Sequence, residues 1–387
     1  MTEVYHVITP GDHFSPRTGS AVPTVVHGLA SGARDVGDDV RFPQRVVLQG
    51  DTYRPRYDSA AAIDYAGAAA PGRAARYVDA ALSRLGGTRR ATAGYFAPAT
   101  AALAGRKPGI AIAHNAPIVP WLLRDSPHRC VLYAHNDVLR SYSQSEAARV
   151  LGGVAGIVAV SESLAAQLRV HLPSGLRDRV RVVPNGVDTT VFTPAAGTAD
   201  DSAAPLRVMF LGRTIPEKGA DVLLEAAALV GRPEVEYVIV GSHGFDSGAA
   251  LTPYERRLRE LAERTASRVT FQPFVARREL PALLRSADML VLPSRWQEPW
   301  ALTVGEGLAS GVPVIAARRG GIPEALGGAG ILFDPDRPDE LAAVIAALAA
   351  DPERRRELGA AGRLHATAHD WAWSWRQLAG VLEELAS

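Results

Sequence analysis

A chain of 387 residues is longer than one ordinary hydrophobic core, so two domains are expected. Hydrophobic residues make up 47% and charged residues 21%, which fits a globular protein and excludes wholesale disorder. Lysine and arginine number 42 against 41 acids, so no global field draws in nucleic acid or a membrane surface, and any anionic ligand has to be caught locally.

The opening MTEVYHVITP reads directly as a strand with neither a basic leader nor a long apolar run, and a cytoplasmic location is expected. No run of about 18 uninterrupted apolar residues is present to span a bilayer. Short Val- and Ile-rich runs (VYHVI, RVVLQ, GIAIAH, RCVLYAH, GIVAV, RVRVVP) alternate with longer Ala/Leu/Arg segments, a rhythm that predicts βαβ units and a parallel sheet covered on both faces. The single Cys130, inside one of these runs, reads as a small buried hydrophobe. Residues 54–108 carry no such signal, and Arg73, Arg76, Arg84, Arg89 and Arg90 read there as a solvated helical face.

The rhythm stops at TPAAGTADDSAAPLR, which predicts a linker over 193–206. It restarts with RVMFLG, a helix over 219–231, EYVIVG, a helix over 254–266, RVTFQPFV, a helix over 278–286, MLVLPS, a helix near 302–310, PVIAA, GILF and a helix over 338–349. The predicted class is α/β, with two Rossmann-like parallel-sheet domains (1–192 and 207–369) facing across a cleft and ligands taken beyond the carboxyl ends of the strands. Residues 370–387 hold three of the six tryptophans in a helical pattern, and this helix is expected to pack back on the first domain.

Within SRWQEPWALTVGEGLASGVPV, Glu298 falls in the loop before a helix and Glu306 about one turn inside it. The amides of Trp300, Ala301, Leu302 and Thr303 lie between them at a helix start, where unpaired N–H donors suit a phosphate. Two carboxylates flanking an anion site suit a ligand that also presents hydroxyls, such as a sugar diphosphate joined to a ribose. Read alone, the segment is equally a solvated helix start. FLGRTIPEKGADVLLEAA adds Arg213 just past a strand end and Lys218 five residues later, two cations able to clamp a diphosphate.

RTIPEKG, EPWALTVGE and SGVPVIAARRGGIPEAL resemble the successive signature stretches of family 4 retaining glycosyltransferases with the GT-B fold. AVSESLAAQL and VRVVPNGVDTTVFTP are similar to the segment leading into that family's interdomain linker. The resemblance implies that Arg213 and Lys218 bind the donor diphosphate and stabilise the departing nucleoside diphosphate. It also implies that Glu306 holds the ribose, that Glu298 contacts the sugar near its reacting face, and that the backbone of Phe274 and Val275 borders the base. TPGDHFSPRTGSAVPTVV resembles the family's glycine-rich first loop, with Gly19 and Ser20 near the phosphates and Ser20 standing where the family often has a second glycine. VLYAHND places His135 where the family reaches the hydroxyls of the donor sugar. His114, at the preceding strand end, and Asp12, His13 and Arg17, in the first loop, are acceptor candidates.

The implied activity is transfer, with retention, of a sugar from a nucleotide donor to a hydroxyl of a small-molecule or glycan acceptor, in natural-product or glycoconjugate biosynthesis. UDP-sugars are favoured over GDP-sugars, and neither metal nor cofactor is expected. Nucleic acid is not an expected partner, and peripheral membrane association is not favoured. Two rivals remain. One is a metal-dependent transferase, for which LFDPDRP supplies an Asp-x-Asp at Asp334 and Asp336, read here as a strand-to-helix loop. The other is a nucleotide-sugar-binding protein of the same fold that has lost turnover.

Overall fold

The structure is a computed structural model that describes residues 1–67, 69–195, 205–244, 248 and 250–386. It divides the chain into two units, Met1–Asn185 with Trp371–Ser387, and Gly186–Asp370. Residues 196–204 of the expected linker lie outside the described residues.

The first unit contains the strands β1 (Glu3–Val7), β2 (Gln44–Gln49), β3 (Ala61–Tyr65), β4 (Gly109–His114), β5 (Arg129–Ala134), β6 (Gly156–Ala159) and β7 (Val180–Val182). Among the described residues they form one sheet in the order β3-β2-β1-β4-β5-β6-β7, every pair parallel. The middle strands are apolar on both faces, as burial under helices on both sides demands. Strand β3, which carries no signal in the sequence, buries only Ile63 at the sheet edge, so neither alternation nor a hydrophobic run marks it. Arg89 departs from the solvated face expected of its neighbours. Its guanidinium reaches the buried Glu146 at 2.6 Å and lies over the Tyr142 ring, 3.8 Å from the centroid.

The helix Trp371–Ala386 is part of this unit and packs against the helix Ala21–Asp35. Its approach is close enough that a Cβ on Gly28 would lie 2.1 Å from the Trp371 ring, and one on Gly32 would lie 2.2 Å from the Trp371 carbonyl. Trp375 is fully buried, meets Phe42 edge-on and donates its indole N–H to Asp38 at 3.0 Å. A large apolar ring with its one polar atom satisfied makes a strong anchor.

The second unit contains β8 (Leu206–Leu211), β9 (Val235–Val240), β10 (Arg268–Gln272), β11 (Met289–Leu292), β12 (Val314–Ala317) and β13 (Ile331–Phe333), in the order β10-β9-β8-β11-β12-β13, again all parallel. The period of two sorts its side chains into two cores. Val208, Phe210, Tyr237, Ile239 and Val291 pack on one face, and Met209, Val238, Val240, Leu290 and Leu292 on the other. Gly186–Phe192, expected in the first domain, belongs here instead. The Val187 amide donates to the His369 carbonyl at 3.3 Å, Arg363 donates to the carbonyls of Phe192 and Thr189, and Phe192 is buried in the second core. Among the described residues no helix is long and apolar enough to cross a membrane.

In both sheets the strand order reverses next to the first strand of the unit, between β1 and β4 and between β8 and β11. In open parallel sheets this reversal opens a crevice at the carboxyl ends, because the flanking connections leave in opposite directions.

Candidate functional site

At the reversal in the second sheet, the loops after β8 and β11 are interlocked. The turn Pro216–Lys218 ends at Gly219, whose φ of +72° is left-handed and whose Cβ, if present, would lie 2.0 Å from the Pro293 carbonyl, so only glycine fits. The Arg295 amide donates to the Glu217 carbonyl at 2.9 Å, and its guanidinium reaches Asp221 at 2.5 Å. This frame carries Lys218 to Glu298, with its ammonium on Oε1 of the carboxylate, and the Ser294 hydroxyl donates to the same oxygen at 2.5 Å. Glu298 is 4% exposed, so its charge is compensated almost wholly by those two groups.

The backbone around Glu298 is fixed from a third loop. The amide of Gly321 donates to the Glu298 carbonyl at 2.6 Å, and that of Gly320 to the Gln297 side chain at 2.7 Å. Gly320 has φ +58°, and a Cβ there would lie 2.2 Å from the Glu298 oxygen. Next comes Ala301, a non-glycine residue at φ +66° that starts the helix Leu302–Ala309 without a side-chain cap. Among the described residues, the amides of Trp300, Ala301, Leu302 and Thr303 donate to no group of the protein. Four amides without protein partners run through a left-handed turn just past the Lys218-bound Glu298, a helix start suited to an anion. Arg213, just past β8, is exposed and its guanidinium has no partner among the described residues.

Glu306 lies one turn inside that helix, 4% exposed, with its Oε1 2.8 Å from Nη2 of Arg277. The distance is that of an ion pair, although the angle is too poor for a hydrogen bond and leaves this oxygen with acceptor capacity. Arg277 is a group the sequence reading missed; it sits two residues past Val275 in an ordinary-looking helix start. The amide of Phe274 donates to the Ser242 hydroxyl at 3.1 Å, and Val275 packs on the second core.

In the first unit, Ser20 is the N-cap residue of the helix Ala21–Asp35 and makes no side-chain cap; Gly19 before it is exposed. His13 stacks on Tyr53 at 3.8 Å between centroids and accepts the Tyr53 amide at 3.1 Å, and Arg17 lies over the same ring. Asp12 has no partner for its carboxylate among the described residues, and burial pushes its pKa up to about 6.

His135 lies at the carboxyl end of β5, with its amide donating to the Asn115 side chain at 2.7 Å. His114 requires a correction. It is fully buried and both its ring nitrogens are occupied, by His6 at 2.9 Å and His135 at 2.8 Å, so it cannot touch an acceptor. Burial holds all three imidazoles neutral, with His6 lowered to about 4, His135 to about 3 and His114 well below its ordinary range. His6 and Gln44, the far members of this row, were also missed, although VYHVI, GIAIAH and RCVLYAH each display a strand histidine.

Asp334 and Asp336 are both held by Nη2 of Arg319, at 3.0 and 2.6 Å, so a cationic side chain already stands between them. Among the described residues no group of three or more His, Cys, Asp or Glu side chains is arranged to hold a metal ion.

Residues 202–365 match the family described as glycosyl transferases group 1, and residues 22–191 match glycosyltransferase family 4. The spore coat protein SA of Bacillus subtilis is 30% identical over 280 residues, 67% of this chain and 73% of that protein. The D-inositol 3-phosphate glycosyltransferase of Corynebacterium glutamicum is 34% identical over 292 residues, 69% of each chain. That of Segniliparus rotundus is 35% identical over 277 residues, 65% of this chain and 60% of that protein. Among solved structures, sucrose-phosphate synthase from Thermosynechococcus elongatus matches with a TM-score of 0.75 at 21% identity over all of both chains. Anabaena HepE in complex with UDP and glucose matches with a TM-score of 0.71 at 19% identity, over 99% of this chain and 100% of that one. These likenesses and the two parallel-sheet units agree: the chain belongs to the family 4 glycosyltransferases and has their GT-B fold.

Proposed function

We propose that this glycosyltransferase moves a sugar, with retention of anomeric configuration, from a UDP-sugar to a hydroxyl of a small polyol or glycan acceptor. The observation that carries the reading is the array of four unpaired amides at 300–303 beside the Lys218–Glu298–Ser294 cluster. Glycosyl transfer is limited by the charge that develops on the departing diphosphate. In this reading Arg213, Lys218 and the amides take up that charge, fixed in place before the reaction and so with little reorganisation during it. Removing one such donor ordinarily costs on the order of a hundredfold or more in turnover.

The carboxylates serve the hydroxyls at either end of the diphosphate. Glu298, its charge held by Lys218, accepts from the transferred sugar, and Glu306 accepts from the ribose with the capacity that Arg277 leaves open. The backbone of Phe274 and Val275 is assigned to the base, and Gly19 and Ser20 to the phosphates, as the family resemblance implies. Sugar hydroxyls are also assigned to His135, and acceptor contacts to Asp12, His13 and Arg17. No side chain is assigned as a nucleophile; a leaving phosphate oxygen accepts the proton of the incoming hydroxyl on the same face. The chemistry calls for no metal in this reading.

The test is a thermal-shift series with UDP, GDP, ADP and their sugars, because a ligand at 100 times its Kd adds about 2.7 kcal/mol. A selective response to UDP-sugars is expected, followed by transfer to polyols that survives chelator and yields product with the donor's anomeric configuration. A response to no nucleotide overturns the reading; binding without transfer or hydrolysis favours a protein that has lost turnover.

A further inference from the structure

Gln44, His6, His114 and His135 form one hydrogen-bonded row across four adjacent strands of the first sheet. The register explains how they meet. Gln44 is level with Val4, His6 with Ile112, and His114 with Tyr133, so each member stands two residues further along its strand than the member before it. A step of two residues keeps every side chain on the same face of the sheet. The row therefore runs diagonally from the amino end of β2 to the carboxyl edge at His135. Its successive heavy-atom distances are 2.8, 2.9 and 2.8 Å.

The rings meet edge to edge. His114 and His135 have centroids 5.1 Å apart and planes 14° apart. With nitrogens only 2.8 Å from each other, that separation is the one in-plane hydrogen bonding gives, since face-stacked rings would not bring these two atoms so close.

Direction enters at Gln44. Its side-chain NH2 donates to the Phe42 carbonyl at 2.6 Å, which can only accept, so the amide oxygen must be the atom that faces His6. His6 Nε2 therefore carries the proton and its Nδ1 a lone pair. His114 must then donate from Nε2 into that lone pair, leaving its own Nδ1 as acceptor, and His135 must donate from Nε2 in turn. All four side chains are buried, so an imidazolium that would break the alternation is disfavoured.

We infer that Gln44, His6 and His114 are positioning residues that lock His135 as the Nε2–H tautomer, so that its Nδ1 meets a ligand as an uncharged acceptor and selects a hydroxyl over a carboxylate. His135, at the carboxyl edge and 8% exposed, is the end of the row nearest solvent, and its Nδ1 has no partner among the described residues. An acceptor there takes a sugar O–H and repels a carboxylate, which favours a neutral over a uronic donor where His135 serves that sugar. This donor assignment rests on the function proposed above; the tautomer assignment does not. The row is also no proton relay, because reversing it would require Gln44 to give a proton from its oxygen.

The experiment is long-range proton–nitrogen correlation on histidine-labelled protein without ligand, which separates the two neutral tautomers of each ring. The wild type is expected to show His6, His114 and His135 all protonated at Nε2. In Gln44→Leu the acceptor that sets the direction is gone, so the row is no longer fixed and His135 becomes a mixture of the Nε2–H and Nδ1–H tautomers. Donor KM for the neutral hexose nucleotide is then expected to rise about twofold, and preference over the matching hexuronate nucleotide to narrow. An Nδ1–H tautomer or an imidazolium at His135 in the wild type overturns the inference, whether or not the variant folds. An unchanged His135 tautomer in folded Gln44→Leu overturns it too. If the tautomers are as stated but no sugar nucleotide binds the wild type, the proposed function fails and the tautomer lock stands.

Discussion

Three neutral imidazoles buried in one row make the first unit sensitive to mild acid. In the unfolded chain each titrates near 6.5; in the folded sheet His6 is lowered to about 4, His135 to about 3 and His114 well below 6.5. A lowered folded-state pKa means that the unfolded state binds the protons first, so stability is present above pH 6.5 and is lost as pH falls toward 4. Between pH 7 and 5.5 His6 and His135 together remove between about 2 and 3 kcal/mol, and His114 acts in the same direction. Asp12 acts the other way. Its folded pKa is raised to about 6, so it gains stability over the same interval, by somewhat under about 1 kcal/mol. The net loss is about 2 kcal/mol or more, equivalent to more than tenfold in an opening equilibrium. Hydrogen exchange read over Glu3–Val7, Gly109–His114 and Arg129–Ala134 reports this sheet without averaging over the second unit. After correction for intrinsic rates, protection in those strands is expected to fall more than tenfold from pH 7 to 5.5, with a far smaller change in Met289–Leu292. Protection that is unchanged, or that rises on acidification, would refute the reasoning.

Lys218→Ala is expected to lower transfer by about a hundredfold or more with the circular dichroism spectrum preserved; full turnover removes this lysine from leaving-group stabilisation. Gly320→Ala, with its left-handed φ and a Cβ 2.2 Å from the Glu298 oxygen, should cost more than the roughly 1–2 kcal/mol of left-handed strain and should also impair transfer. Gly328→Ala has a similar φ of +80° but open space around the added carbon, so it should cost only the strain and leave turnover intact. Equal thermal and kinetic effects in the two variants would contradict the role given to the Gly320–Glu298 contact. Arg277→Leu removes the cation beside the buried Glu306 and should weaken UDP binding about tenfold by calorimetry; unaltered affinity makes Arg277 dispensable.

The parts of the fold legible in the sequence are those where one period dominates. GIAIAH and MLVLPS are apolar on both faces because helices cover both sides of the sheet, and their strands follow closely. The edge strand β3 is invisible because an edge needs only Ile63 to be buried. Positions of loops are likewise legible where glycine or proline is required, as at Gly219, but what a loop side chain touches is not. The sequence places Glu298 and Glu306 near each other and says nothing of Lys218 on one and Arg277 on the other, since those pairs join residues 80 and 29 positions apart. His114 misled for the same reason. At a strand end it looks available, and only the packed register shows His6 and His135 filling both its nitrogens.

The central claim is that a nucleoside diphosphate is held where the second sheet reverses its strand order. A crystal structure with UDP tests it directly. The account predicts both phosphates within hydrogen-bond reach of the amides at 300–303 and of Arg213 and Lys218, with the ribose on Glu306. A diphosphate seated away from β8 and β11, or a ribose that leaves Glu306 paired only with Arg277, would contradict it.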